Sequence, residues 1–278
     1  MGGMRELTVE EKAKPYSKYY FRPHAGASPE LAQILKDHKP MDPGQAQPIE
    51  EMSDLLKPGY LPGETGYCTL PNGGAYVAVR HPMPGVTADM VNWWFAWHGL
   101  ESLRYMLWSP QDHYAVDMTD EDRAKVLDPD RPLLLKFQGI THHVYEDIGG
   151  GADDLWISFM TPEDFGFDMD RWHTPNVATL VAANVLIKAA GAPEGAPMMP
   201  VAMCHFVRDL PQGGGVEFRT RFWMGWQIVD KKPQFTLAPG LKVPAAVPSG
   251  LFEHCILEYS NLRVLLPEIY AEMNGEVA

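Results

Sequence analysis

Basic charge is scarce in this chain. Its 278 residues carry 23 Lys and Arg against 36 Asp and Glu, a net charge of -13 at pH 7. So acidic a surface repels phosphate backbones and anionic headgroups, so neither nucleic acid nor an acidic membrane is an expected partner. Cysteine is scarcer still. Cys68, Cys204 and Cys255 are odd in number, widely spaced and form no CxxC pair. That usage argues against a disulfide framework and fits a reducing cytoplasm. No apolar run approaches the roughly 20 residues of a membrane span. The opening Met1-Gly-Gly-Met-Arg-Glu is polar where a signal peptide would be apolar. There is no internal repeat and no GxGxxG, Walker, GxSxG or HExxH motif. Dinucleotide, nucleotide-triphosphate, serine-hydrolase and zincin chemistries therefore lack their marks.

Aromatic residues, by contrast, are plentiful: eight Trp, eleven Tyr and eleven Phe. Such a supply suits a pocket for a flat, partly apolar ligand, and it also suits a large core. The most informative stretch is Ser249-Gly-Leu-Phe-Glu-His254-Cys-Ile-Leu-Glu258-Tyr-Ser-Asn-Leu-Arg-Val-Leu265. Ser249 is a plausible cap, and no Pro or Gly interrupts Leu251 to Leu265, so a helix is expected there. His254 and Glu258 are four residues apart and share one face with Leu251, Cys255 and Leu262. A carboxylate and an imidazole on an apolar stripe need a compensating charge. A divalent metal bound by both would supply it. A buried ion pair, or a helix turned so that Glu258 reaches water, would serve as well.

Upstream, residues 1–85 read as a proline-broken extension that packs on the main body or on a partner subunit. Asn72-Gly73 between Tyr67–Leu70 and Ala75–Arg80 marks a hairpin within it. Residues 86–278 form the main domain. It begins with a Trp-rich helix capped by Thr87 and reaching about Leu100, buried nearly all round. Strand patterns follow: 139–146 and 154–160 about the Gly149-Gly-Gly151 turn, 179–188, 199–208 and 216–226. Residues 179–188 are long enough for a helix, but their Val and Ile content favours a strand. A helix, a run of antiparallel strands and one long covering helix make an α+β fold.

Further metal ligands would come from distant histidines and carboxylates, among them His98, His113, His142, His143 and Glu146. Strand alternation puts His142 and Glu146 on one face and His143 on the other. His205 shares its face with Met203 and Val207, and a neutral imidazole lining a cavity is a ready acid or base near pH 7. It would equally serve as a core histidine bonded to a backbone carbonyl. Arg219 and Arg221 share a face and could bind a phenolate or carboxylate, or be exposed.

Taken together, Trp93-Trp-Phe-Ala-Trp-His98, Arg104-Tyr105-Met-Leu-Trp108 with His113, His142-His-Val-Tyr-Glu146, His205-Phe-Val-Arg208, Arg219-Thr-Arg-Phe-Trp-Met-Gly225 and His254-xxx-Glu258 resemble the acylphloroglucinol C–C hydrolases. These are the diacetylphloroglucinol and phloretin hydrolases. The resemblance runs from about residue 85 to the end, and more loosely before it. It implies a helix-grip (Bet v 1-like) curved antiparallel sheet around the long C-terminal helix. It also implies a Zn2+ ion held by His113, Glu146, His254 and Glu258, a substrate-contacting Tyr105 and a catalytic His205, with Glu146 or His205 moving protons. The activity implied is hydrolysis of an aryl–acyl C–C bond in a phenolic ketone, giving a phenol and a carboxylic acid, by a possible homodimer. Where the family places polar substrate contacts after the first His ligand, this chain has Tyr114-Ala-Val116, so the ring decoration or acyl group is not assigned. The alternatives are a non-catalytic small-molecule binding protein and a non-haem iron enzyme using two His and one carboxylate.

Overall fold

In the computed structural model, which describes residues 4–174 and 176–278, eight strands form one fully antiparallel sheet. The polar stretch Met1–Gly3 lies outside the described residues. The strands are β1 (Gly66–Thr69), β2 (Ala75–Pro84), β3 (His113–Asp117), β4 (Thr141–Asp147), β5 (Ala152–Met160), β6 (Thr179–Lys188), β7 (Met199–Asp209) and β8 (Gly215–Met224). Their spatial order is β1-β2-β8-β7-β6-β5-β4-β3. A small separate hairpin, β9 (Trp226–Val229) and β10 (Lys232–Phe235), follows. The helices are α1 (Val9–Lys12), α2 (Pro29–Asp37), α3 (Ala88–Trp97), α4 (Ser102–Met106), α5 (Asp120–Leu127), α6 (Pro162–Phe165) and α7 (Ala246–Glu272). The expected α+β order and every expected strand are present.

Side-chain alternation gives the sheet two apolar faces. On the inner face Val79, Val181, Val185, Met203 and Phe218 pack with α3 and α7. On the outer face Tyr76, Leu180, Phe206 and Trp223 are covered by Ile49, Met52, Leu55 and Leu56. Residues 49–84, read as part of an extension, thus cover one face and add two strands. The sheet crosses the boundary placed after residue 85 through the β2–β8 pairing, Ala75↔Met224 to Pro84↔Gly215.

α3 begins where Thr87 accepts a hydrogen bond from the Met90 amide, and its α-helical part stops at Trp97, short of Leu100. α7 departs further from expectation. It starts at Ala246 and runs through Pro248 and Pro267 to Glu272. Pro248 is tolerated in the first turn, where no intrahelical acceptor waits for its missing amide hydrogen. Ser249 is therefore not the cap: it lies inside the helix, and its hydroxyl bonds His38 Nε2 at 2.7 Å. Among the described residues no helix is long and apolar enough to cross a membrane.

Candidate active site

A cavity opens between the inner face of the sheet and α7. Its volume is about 80 Å³, several times the roughly 10–15 Å³ that one water needs. A ligand of several heavy atoms therefore fits. Val185, Ile187, Val201, Met203 and Phe222 give it an apolar wall. The opposite end gathers His113, Glu146, His254 and Glu258, all buried.

Local structure explains the gathering. α4 ends at Met106, and the turn through Ser109-Pro110 hands the chain to β3 at His113, whose amide donates to the Ser109 carbonyl at 2.8 Å. In the β3–β4 ladder His113 is paired directly with Glu146, so strand register sets these two side by side. His254 and Glu258 are successive turns of one face of α7. Glu258 is buried and does not turn to water. His113 Nε2 lies 3.4 Å from His254 Nε2, 3.4 Å from Glu146 Oε2 and 3.6 Å from Glu258 Oε2. His113, His254 and Glu258 place ligand atoms within 4.8 Å of one another, and Glu146 joins them through His113. The opposite nitrogen, His113 Nδ1, faces the Tyr105 carbonyl at 3.3 Å, which leaves Nε2 for the cavity.

Electrostatically this end is unbalanced. Burial pushes Glu258 up to about 8, and Glu146 adds to that while His254 opposes it. Burial also raises Glu146. Burial and the neighbouring His254 hold His113 well below its ordinary range. His254 goes the other way: burial opposes its charge, but Glu258, Asp112 and Glu146 together lift it to about 9. Ionising both carboxyls would set two buried negative charges against one imidazolium, a balance that a bound cation would restore. The donor set fits a divalent ion. Two imidazole nitrogens and two carboxylates are a common metal-ligand set, and bonds of about 2.0–2.1 Å to a shared ion leave neighbouring ligand atoms separated much as they are here. Asp112, which the sequence reading did not single out, stands behind His254 with Oδ2 3.6 Å from Nδ1. Ser109 Oγ donates to that same carboxylate at 2.8 Å. The gap is longer than a hydrogen bond, and His254 Nδ1 has no hydrogen-bond partner among the described residues, so Asp112 acts on the ring through its charge. Its only sequence signal was its place next to His113.

Tyr105 and His205 flank the cavity differently. The Tyr105 ring stacks on His113 at 4.2 Å and 4°, and its hydroxyl donates to Glu146 Oε2. Burial and Glu146 keep that phenol well above its ordinary range, so it stays protonated. His205 points into the cavity with Met203, as alternation requires. Among the described residues it bonds no backbone carbonyl. Nδ1 lies 2.9 Å from Thr220 Oγ1 and Nε2 lies 2.8 Å from Tyr259 Oη. Burial lowers it to about 3, so the isolated imidazole is neutral and does not titrate near pH 7. Tyr259 was another residue the sequence reading passed over, hidden as one more aromatic on α7.

Arg219 and Arg221 are elsewhere. They lie on the outer face, where both bond Glu64 and Arg221 Nε donates to Gln47 Oε1 at 3.2 Å. They are fully buried and bind this internal carboxylate, not a ligand in the cavity. His143 also faces outward, bonded to Asp154 at 2.9 Å and stacked on Trp156.

A family model for the DAPG hydrolase PhiG domain matches residues 47–271. The chain belongs to the DAPG hydrolase family. Phloretin hydrolase of Eubacterium ramulus is 35% identical to it over 271 residues, spanning 95% of this chain and 92% of that enzyme. A 2,4-diacetylphloroglucinol hydrolase from a Pseudomonas species is 29% identical over 294 aligned positions, spanning 99% of this chain and 95% of the relative. The counterpart from Pseudomonas protegens is 28% identical, again over 99% of this chain. Relatives of this family thus extend across β1, β2 and the outer-face cover as well as the cavity.

Proposed function

We propose that this chain is a zinc-dependent hydrolase that cleaves the bond between an aromatic ring carbon and an acyl carbonyl in a hydroxylated phenolic ketone of the acylphloroglucinol type. Near full-length similarity to enzymes named for phloretin and 2,4-diacetylphloroglucinol supports the substrate class. The observation that carries the metal is the buried group of His113, His254 and Glu258, with Glu146 beside it and too little positive charge among them. His113, Glu146, His254 and Glu258 would hold the ion. When bound, zinc would lower the pKa of a coordinated water towards about 7 and polarise a carbonyl.

In the net reaction water adds to the acyl carbon and the ring–acyl bond breaks. The ring carbon keeps the electron pair and takes a proton; the acyl group leaves as a carboxylic acid. Ring hydroxyls beside the acyl group make that carbon basic enough to accept the proton. Tyr105, a protonated phenol already donating to Glu146, fixes that carboxylate and offers its oxygen to a ring hydroxyl. Glu146, raised by burial, is the acceptor for the proton that water loses. His205 lines the cavity and, backed by Tyr259 Oη at 2.8 Å, is the candidate for delivering a proton to the ring carbon. The apolar wall excludes bulk water from the ring.

We also read the sheet and α7 as a helix-grip arrangement, and the three buried free cysteines as suited to a reducing cytoplasm. The direct test is protein purified with its own metal, identified by elemental analysis, and incubated with phloretin and with 2,4-diacetylphloroglucinol. Release of a phenol and an equal amount of carboxylic acid, without oxygen uptake, supports the reading. Oxygen uptake would favour the iron alternative, and binding without turnover would favour a binding protein.

A further inference from the structure

One imidazole in the cavity has no partner. His142 is only 1% exposed and lines the cavity, yet no hydrogen bond to either ring nitrogen is present among the described residues, and Nε2 is buried without a partner. An unsatisfied buried polar group costs about 1–3 kcal/mol, and an apolar side chain would fill the same space without that cost.

The ring is also firmly seated. Phe159 meets it edge-on at 4.9 Å and His98 at 5.5 Å. Gly99 lies directly against it: a Cβ there would stand 2.2 Å from His142 Cε1 and 2.4 Å from Nε2. Only glycine leaves room for the imidazole at this depth. The other cavity histidines are occupied. His205 is bonded through both nitrogens, His98 through Nδ1 to the Trp94 carbonyl at 2.7 Å, and His113 and His254 belong to the charged end.

Position then suggests what His142 waits for. It shares the inner face of β4 with Val144 and Glu146, four residues from the charged end, or roughly 13 Å of extended chain at about 3.3 Å per residue. Burial keeps the imidazole neutral, well below its ordinary range; Nε2 lies against Gly99, so Nδ1 is the nitrogen left to meet a ligand, as donor or acceptor according to the tautomer. Such a group suits a phenol hydroxyl. It does not suit a carboxylate, which would seek a cation.

We propose that His142 is a specificity-determining residue that binds a hydroxyl on the substrate's aromatic ring, distal to the acyl group. This fixes the ring while the acyl carbon lies at the charged end. The inference rests on the hydrolase reading for the identity of the ligand, but its test separates the two.

The experiment compares wild type, His142→Leu and His142→Gln on two probes: 1,3,5-trihydroxybenzene, and benzene lacking all three hydroxyls. Binding is followed by tryptophan fluorescence, and turnover is measured on acylphenols with and without the hydroxyl para to the acyl group. Wild type should prefer the para-hydroxylated acylphenol in kcat/KM by about 10-fold or more, as expected for one hydrogen bond in a buried site. The leucine variant should lose that preference while keeping its rate on the substrate without the hydroxyl, and glutamine should restore part of it. If leucine does not fold, His142→Ala replaces it in the same comparison. Equal losses on both substrates, or unchanged discrimination, would overturn the proposal while leaving the hydrolase reading intact. Trihydroxybenzene binding that depends on His142 without turnover of any acylphenol would support this inference and defeat the hydrolase reading.

Discussion

Glu258 Oε2 lies 3.7 Å from His254 Nε2, one turn along α7, with both side chains buried. An exposed pair at this spacing would be a minor helix-stabilising contact worth a few tenths of a kcal/mol. Here the same spacing places two ionisable groups against His113 and Glu146 inside an apolar enclosure. Removing Glu258 as Glu258→Gln should relieve buried negative charge. We expect folding to be retained, and stability in the absence of added metal to be unchanged or higher by calorimetry, while zinc affinity falls by at least about 10-fold. Undiminished zinc affinity would remove Glu258 from the site.

Tyr105→Phe deletes the hydroxyl that donates to Glu146 and leaves the ring stacked on His113. Loss of a positioned proton donor should lower kcat by about 100-fold or more with little change in melting temperature. A variant with wild-type kcat would show that Tyr105 only packs.

Tyr259→Phe separates catalysis from packing at the second pair. His205 then keeps Thr220 and loses the 2.8 Å contact to Tyr259 Oη. We predict a fall in kcat of about 10- to 100-fold with KM nearly constant. Equal changes in KM alone would assign the pair to binding.

Gly99→Ala tests the seating of His142. The added methyl would overlap the imidazole, and overpacking of this kind costs about 1–3 kcal/mol. Chemical denaturation should register that loss, and the double variant with His142→Ala should recover part of it.

Acid stability should report on the outer face. Burial works against ionised Glu64, but Arg219 and Arg221 outweigh it and hold the carboxyl down to about 2. A carboxyl lowered on folding stabilises the protein above its ordinary value near 4.5, and that contribution is lost as pH falls from there towards about 2. Burial also pulls Arg219 down despite Glu64, so the net gain is smaller than the carboxyl alone suggests. Glu64→Gln should cost about 3–5 kcal/mol at pH 7, because two buried guanidiniums lose their counter-ion. It should also flatten the pH dependence of stability between about 4.5 and 2. An unchanged acid profile would contradict this account.

Much of this was legible from residue order because it depends on local period. Alternation put His142 and Glu146 together and His143 apart, and helical spacing paired His254 with Glu258. The strand character of Thr179–Lys188 followed from its β-branched content. Long-range register was not legible. Nothing local says that His113 pairs with Glu146, or that Arg219 and Arg221 face a carboxylate 155 or more residues away in sequence. Ser249 is expected as the cap of α7, yet the helix starts at Ala246, because a first-turn proline breaks no hydrogen bond. Tyr259 and Asp112 were missed because their roles come from the residues they touch across the fold.

In the proposed enzyme α7 supplies half of a metal site on which turnover depends. The most direct measurement is metal content by elemental analysis, together with acylphloroglucinol turnover, for wild type and His254→Ala. We predict about one zinc per wild-type chain, and loss of both zinc and turnover in a variant that remains folded by circular dichroism. Unchanged zinc and unchanged turnover in His254→Ala would contradict it.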